Sequence, residues 1–406
     1  MNMIPAPKAV SESKKVTPIV ACKPVIKILG LGGGGSNAVN RLIELGLQDV
    51  EFIAANTDIQ ALRQSLAPKK IQLGPRLTRG LGAGGNPKTG EAAAEESYRE
   101  LADALTGADM VFLTAGMGGG TGTGSISVAA RIARKLGAVT VAVVTTPFSF
   151  ELGRRQQNAR EGLARLQPHT DTLIAVPNDR LLQIAPRNLT LDLAFQIADD
   201  VLRQGIQGIA ELITQPGLIN VDFAHVREVM RFGGGALMSI GIGEGENKAF
   251  KAVEQALHHP LLESISIESA TGIIANFTGG PNLTFIEVME ALNHLHEQTH
   301  HRADIIPGVI NDPCMGDRTQ VILVVTGLGA TPIETAMPSQ KQKAQSPENQ
   351  PRAAAPAEVQ EAAVRTVAAA VASPAVPQTA PLDSAGSVPA DLDLPAFLRR
   401  RVRQTH

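Results

Sequence analysis

GMGGGTGTGS, residues 116 to 125, is the stretch on which the fold turns. It follows an apolar, β-branched run, DMVFLTA at 109 to 115, and precedes the amphipathic ISVAARIARKL at 126 to 136. It therefore reads as a glycine loop between a strand and a helix, where bare backbone amides can approach a phosphate at the helix N-terminus. A second such loop, ILGLGGGGSNAV at 28 to 39, also opens a helix after a strand. Alone it would read as the G-x-G-x-x-G of a nicotinamide-dependent oxidoreductase, formed by Gly30, Gly32 and Gly35, with Asp58 closing the next strand where such an enzyme keeps its ribose carboxylate. Two loops instead imply a phosphate chain held from two sides. A third, GLGAGGNP at 80 to 87, lies between them in sequence and is placed to cover the terminal phosphate. Any one of them can be merely a turn that needs positive φ; three after strand ends argue for binding.

Outward from these loops, from Pro24 to about Asp179, the β-branched runs VIKIL, VEFIAANTD, KIQLG, DMVFLTAG, AVTVAVVT and DTLIAVPND alternate with helical patterns. That alternation predicts an α/β fold with a doubly wound parallel sheet, over residues 24–190 after an N-terminal tail at 1–23. Apolar residues at Leu193, Ile197, Val201, Ile206, Ile209 and Ile213 predict one long helix over 191–214, stopped by Pro216-Gly217. Helices around Phe223–Phe232 and Lys248–His258, with the strand-like runs ALMSIGIG, TGIIANFTGG and RTQVILVVTGL, predict a smaller α/β domain over 215–329. Residues 330–389 are rich in Ala, Pro, Gln and Ser and read as a disordered linker. In the closing segment, 390–406, apolar residues reappear in DLDLPAFLRRRVRQTH, a peptide suited to folding on a partner. Leu394, Phe397 and Leu398 form its apolar surface at helical spacing.

A chain of 406 residues with 43% hydrophobic residues can fill real cores. A net charge of −2 lacks the cationic excess that tracks a phosphate backbone, so nucleic acid is not the expected partner. Two isolated cysteines, Cys22 and Cys314, provide neither a disulfide framework nor a cysteine zinc site, which fits a reducing cytosol. No run approaches the roughly 18 apolar residues of a membrane span, and a cytoplasmic location is expected.

The motifs carry a family resemblance. GGGTGTG at 118 to 124 resembles the tubulin signature, and NTD at 56 to 58, TPFSFE at 146 to 151, PND at 177 to 179 and NVDF at 220 to 223 resemble FtsZ, the tubulin-like GTPase family of bacterial cell division. The match runs from about Val25 to Gly329 and returns at LDLPAFLRR, which is similar to the peptide through which FtsZ docks on membrane-tethering and other division partners. The resemblance implies a GTP-binding domain, a central helix and a C-terminal domain, assembling with copies of the same chain into head-to-tail filaments at the mid-cell division site. It implies phosphate contacts from Gly33, Gly34, Gly35, Ser36 and Asn37, from Ala83 and Gly84, and from Gly120, Thr121 and Gly122, with Asp58 also at the GTP site. It places Glu151 and Arg155 on the ribose side, and Asn178, Phe195 and Asp199 at the guanine. GTP or GDP with Mg²⁺ is the implied ligand, the metal held by phosphates and waters rather than by a protein ligand set.

The residues agree at the base. Phe195 and Asp199 are i and i+4 on one helix face, where a ring can stack while a carboxylate accepts from guanine N1–H and its exocyclic amine. Adenine presents an acceptor at N1 and would leave the charge unpaired, which argues for GTP over ATP. The expected helix covers roughly 22 Å between Asp199 and Thr214 at about 1.5 Å per residue, so the loop LINVDFAHV cannot easily reach its own nucleotide. Catalysis by Asn220 and Asp222 would then act in trans on the next subunit, and Asp222 doubles as N-cap of the following helix. One departure stands out. The family pattern in this loop is N-x-D-F-A-D, whereas this chain reads NVDFAH, with His225 at the second acidic position. Slow hydrolysis, or a paralogue acting as a GTP-bound structural polymer, follows as an alternative. Separately, HEQTH at 296 to 300 matches the H-E-x-x-H zinc-protease pattern, with both histidines expected on one helical face, and His296, His300 and His301 are candidates for adventitious metal binding. A third protease ligand is missing, since Ile306 stands where a metzincin has its last histidine.

Overall fold

The computed structural model describes residues 23–151, 153–183, 190–215, 217–219, 221–232, 235–262 and 267–328. These residues all belong to one compact unit, Met1–Pro338; the second unit, Ser339–His406, lies outside the described residues, as do the N-terminal tail, the linker and the candidate partner peptide with Leu394, Phe397 and Leu398.

The first half is built from β1 (Ile26–Leu31), α1 (Gly32–Glu44), β2 (Val50–Asn56), α2 (Ile59–Gln64), β3 (Lys69–Gln72), α3 (Pro75–Thr78), α4 (Pro87–Glu96), α5 (Tyr98–Leu105), β4 (Met110–Gly116), α6 (Thr121–Lys135), β5 (Val139–Thr146), α7 (Arg154–Leu166), β6 (Thr172–Pro177) and α8 (Asn178–Leu181). Its strands pair in parallel in the order β3-β2-β1-β4-β5-β6. β1, β5 and β6 are buried along their whole length, as strands covered on both faces must be, and so they read as continuous apolar runs. This is the doubly wound sheet expected from the sequence. One core cluster, from Leu29 and Leu113 to Leu163, fills the space between one sheet face and α4 to α7.

The central helix α9 (Leu191–Thr214) is uninterrupted and capped by Thr190, whose hydroxyl accepts from Leu193 N–H. It packs on α1 and β5 at one end of its course and on β8, β9 and β10 at the other. After it come α10 (Phe223–Arg231), β7 (Gly235–Glu244), α11 (Lys248–Leu257), β8 (Gly272–Gly279), α12 (Phe285–Gln298), β9 (Asp304–Asn311) and β10 (Arg318–Thr326). β10 lies antiparallel between β7 and β8, and β9 pairs in parallel with β8 at the sheet edge. A second core, including Phe277, Leu295 and Leu323, is closed by α11 and α12.

The two halves share a sheet. β7 pairs in parallel with β6 through Leu173–Gly235 and Ile174–Ala236, so the ten strands of the described residues form a single sheet ordered β3-β2-β1-β4-β5-β6-β7-β10-β8-β9. Among the described residues no helix is long and apolar enough to cross a membrane.

The H-E-x-x-H expectation is corrected here. α12 ends at Gln298: Thr299 is its C-cap, and His300 (φ 50°) and His301 (φ 56°) leave the right-handed helical region. His296 and His300 therefore do not share a helical face. His296 stacks with His301 at 5.9 Å, His300 lies 3.8 Å from the Glu268 carboxylate, and among the described residues no three His, Cys, Asp or Glu side chains gather as a metal site.

Candidate functional site

The three glycine loops meet at the C-terminal edge of the parallel sheet. α1 begins directly where β1 ends, with Gly32 at φ +69°, and neither α1 nor α6 has a side-chain cap or an acidic residue in its first turn. Their leading N–H groups are therefore left for another acceptor, and the helix dipole favours that acceptor being an anion. A Cβ on Gly32 would sit 2.8 Å from Gly122 N, one on Gly34 would sit 3.2 Å from Gly116 N, and one on Gly120 would sit 2.9 Å from the Ala83 methyl and 2.8 Å from Asn86 N. Glycine at these positions lets three backbones come together. By contrast a Cβ on Gly33, Gly84, Gly85 or Gly119 would meet nothing within 4 Å. The cluster thus has a packed side and an open side, the shape a phosphate chain requires.

Several side chains hold the loops in place, and of these sequence reasoning singled out Thr121 alone. Asn158 on α7 donates to Gly85 O (3.3 Å) and Gly118 O (3.2 Å), joining two loops. Thr57 and Thr121 share a hydrogen bond of 2.6 Å between their hydroxyls, tying the end of β2 to the start of α6. The packed side is tight at Gly35, where a Cβ would lie 2.2 Å from Thr114 O. Gly35→Ala is expected to cost about 3 kcal/mol through forced separation of α1 from β4, readable as a lowered midpoint in urea unfolding. An unchanged midpoint would contradict the packing described.

Ser36 is buried, and its hydroxyl has no hydrogen-bond partner in the structure; Asn178, buried at the start of α8, likewise keeps an unpartnered Oδ1. Buried polar atoms without partners are uncommon, and both lie on segments that border the loops or the end of β6. Asp58 caps α2: its Oδ1 accepts from Gln60 N (2.8 Å) and Ala61 N (3.3 Å).

The aromatic side of the site is a cluster of three rings. Phe148 stacks on Phe150 at 5.0 Å, and Phe195 meets Phe148 edge-on at 5.4 Å. Phe195 remains 38% exposed, so one surface of the ring is free to meet a planar ligand. One helical turn along α9, Asp199 is mostly buried and lies 3.6 Å from the Arg41 guanidinium. Burial raises its pKa from 3.8 to about 6, opposed by Arg41, reinforced by the neighbouring Asp200 and opposed again by a hydrogen bond from Asn37. Arg41 also donates to Gln196 O at 3.0 Å, which fixes it between α1 and α9. Glu151 folds back on its own loop, accepting from Phe148 N at 3.0 Å and pairing with Arg155, which points outward.

Asp222 and His225 sit elsewhere, beyond the far end of α9, and both are exposed. Asp222 caps α10 by accepting from Ala224 N at 3.1 Å, as expected. Asn220 lies outside the described residues.

The Tubulin/FtsZ family GTPase-domain model matches residues 25–186, and the FtsZ family C-terminal-domain model matches residues 234–329. Among solved structures, an empty FtsZ dimer from M. jannaschii is similar at 48% identity and TM-score 0.73, over 75% of this chain and 89% of that one. A mutant FtsZ from the same organism gives 47% identity and TM-score 0.73 over 76% and 92% of the two chains. CetZ2 from Haloferax volcanii, a GTPγS-bound protofilament, shares the fold at 20% identity and TM-score 0.65, over 77% of this chain and 97% of that one. With its sequence order of motifs, its ten-stranded sheet and both halves matched, the chain belongs to the Tubulin/FtsZ family of GTPases.

Proposed function

We propose that this chain binds GTP between its three glycine loops, assembles head to tail with copies of itself, and hydrolyses the nucleotide at a site that the next subunit completes. The observation that carries the reading is the convergence of the loops at Gly32–Gly122, Gly34–Gly116 and Gly120–Ala83, with Gly33, Gly84 and Gly119 left open on one side. Backbone N–H groups of Gly33 to Ser36 and of Gly120 to Gly122 would donate to phosphate oxygens, with Asn37 and Thr121 beside them. Glu151 and Arg155 would lie toward the ribose, and Asn178, Phe195 and Asp199 toward the guanine. Mg²⁺ would be held mainly by phosphate oxygens and water, where it neutralises charge on the phosphates.

Asp222 would orient the attacking water of a neighbouring subunit, with Asn220 beside it. α9 separates Asp222 from Asp199 of the same chain by roughly 22 Å of helix, and a repeating contact of unlike faces gives an open filament where its rotation does not close. The FtsZ dimer and the CetZ2 protofilament among the similar structures support self-assembly as the mode. A role in the bacterial division ring, in the cytoplasm at mid-cell, with Leu394, Phe397 and Leu398 docking on membrane-tethering and division proteins, extends the same reading.

A second reading is favoured by His225, exposed where the family pattern has an acid: a polymer that binds GTP and turns it over slowly. Phosphate release and light scattering recorded together after GTP addition separate the two. Scattering with matching phosphate release supports the enzyme, scattering with little release supports the structural polymer, and neither signal would sink both.

A further inference from the structure

We propose that Arg180 is a positioning residue that carries the state of the nucleotide site into the C-terminal half by a route separate from α9, an inference that rests on the nucleotide-binding reading above. The short helix α8 opens with three consecutive polar residues in three different settings. Asn178 is buried with a free Oδ1 beside the proposed guanine site. Asp179 accepts from Ser149 N at 2.7 Å, which fixes the loop that carries Phe150 and Glu151. Arg180 reaches the other way and donates through one guanidinium nitrogen to Pro260 O and Leu261 O, both at 3.2 Å.

The turn that receives Arg180 is itself rigid. His259 N donates to Ala256 O (3.2 Å), Leu262 N donates to His259 O (2.8 Å), and His259 Nδ1 accepts from Leu261 N at 3.3 Å. Burial lowers the His259 pKa to about 4, so the ring stays neutral and keeps its acceptor. Leu261 and Leu262 are buried and anchor the turn. The turn closes α11, and α11 lies so close to β7 that a Cβ on Gly241 would fall 1.9 Å from Ala252 O and one on Gly243 1.9 Å from Lys248 O. A displacement of α8 on base binding would therefore pull on the turn, then on α11, then on the sheet. α9 touches that sheet through other groups, Gln204 with Gln320 (3.1 Å) and Gly208 O with Asn276 (2.9 Å).

Hydrogen exchange of the full chain, with and without GDP and diluted below the concentration at which it assembles, tests the link. GDP is expected to slow exchange in the glycine loops of the wild type and, about severalfold, in residues 248–262. Arg180→Met should keep the protection of the loops and lose the GDP-dependent slowing at 248–262, while Arg180→Lys, with one ammonium for two carbonyls, should retain part of it. A purely structural role would instead raise exchange at 248–262 equally with and without GDP, and that result overturns the proposal. So does a wild-type segment indifferent to GDP while the loops respond, which leaves the nucleotide reading standing. Absence of protection in the wild-type loops overturns both. Should Arg180→Met fail to fold, Arg180→Lys decides: a GDP response at 248–262 equal to that of the wild type counts against the link, and a diminished one supports it.

Discussion

Replacing Asp199 by alanine is expected to weaken GTP binding by about 1 to 3 kcal/mol, the cost of leaving the guanine N1–H and amine without their acceptor, and to bring GTP and ATP affinities together. The geometry adds a pH dependence to this expectation. The free carboxyl has its pKa raised to about 6, chiefly by burial, whereas a guanine that donates to it needs the ionised form. Binding should therefore expel a proton below about pH 6, and affinity should fall with pH there by up to about tenfold per unit. For the unliganded fold the sign is the reverse. A carboxyl with a raised folded-state pKa contributes stability that is fully present below 3.8, its ordinary value, and is lost as pH rises through about 6. Calorimetric titration of GDP and GTP across that range checks the affinity, and urea unfolding of the unliganded chain over the same range checks the stability. Asp199→Asn should flatten the pH dependence of affinity, and a wild-type affinity that is flat through pH 6 would remove Asp199 from the base contact. Arg41→Met offers a control on the cause: without the opposing cation the carboxyl should titrate higher still, and the fall in affinity should begin at a higher pH.

The glycine loops and the parallel strands were legible because their causes are local. A strand buried on both faces must be apolar throughout, and a loop that lets three backbones touch must be glycine. The long helix was legible for the same reason, since its apolar residues recur at helical spacing from Leu193 to Ile213. β9 was not. Its sequence, DIIPGVIN, carries Pro307 and Gly308, both uncommon inside strands, yet proline is tolerated there because β9 is an edge strand. Gly308 is required by tertiary packing, since a Cβ would lie 1.9 Å from a Leu212 methyl of α9. In the same way Phe195 and Asp199 were visible as one face of a helix, but Arg41 and Asn158 were not, because what places them is the packing of α1 on α9 and of α7 on the loops. The HEQTH pattern failed in the opposite direction: its spacing was right for a metal pair, but the helix ends at Gln298, two residues before His300.

Turnover should depend on two residues that lie far from the glycine loops of their own chain. Asp222→Ala is expected to reduce GTP hydrolysis by roughly a hundredfold, the usual contribution of a positioned general base, while GTP affinity of the isolated subunit stays unchanged. His225→Asp is expected to act in the other direction and raise turnover by about tenfold, because a second carboxylate adds a charged acceptor for the attacking water. Both side chains are exposed in the single chain, so a partner can reach them without rearrangement. The decisive measurement mixes two defective subunits. One carries Asp222→Ala and binds GTP; the other carries Gly33→Trp, which fills the open side of the loops, and keeps its own Asp222. If each productive site takes its loops from one chain and its carboxylate from the next, the mixture should hydrolyse GTP faster than either component, and the rate should rise more than linearly with protein concentration. A mixture no faster than its parts, together with first-order dependence on protein, would mean that the site is complete within one chain. If the wild type is already fast and His225→Asp leaves it so, Asp222 suffices for water activation and the histidine is simply a tolerated residue in the first turn of α10.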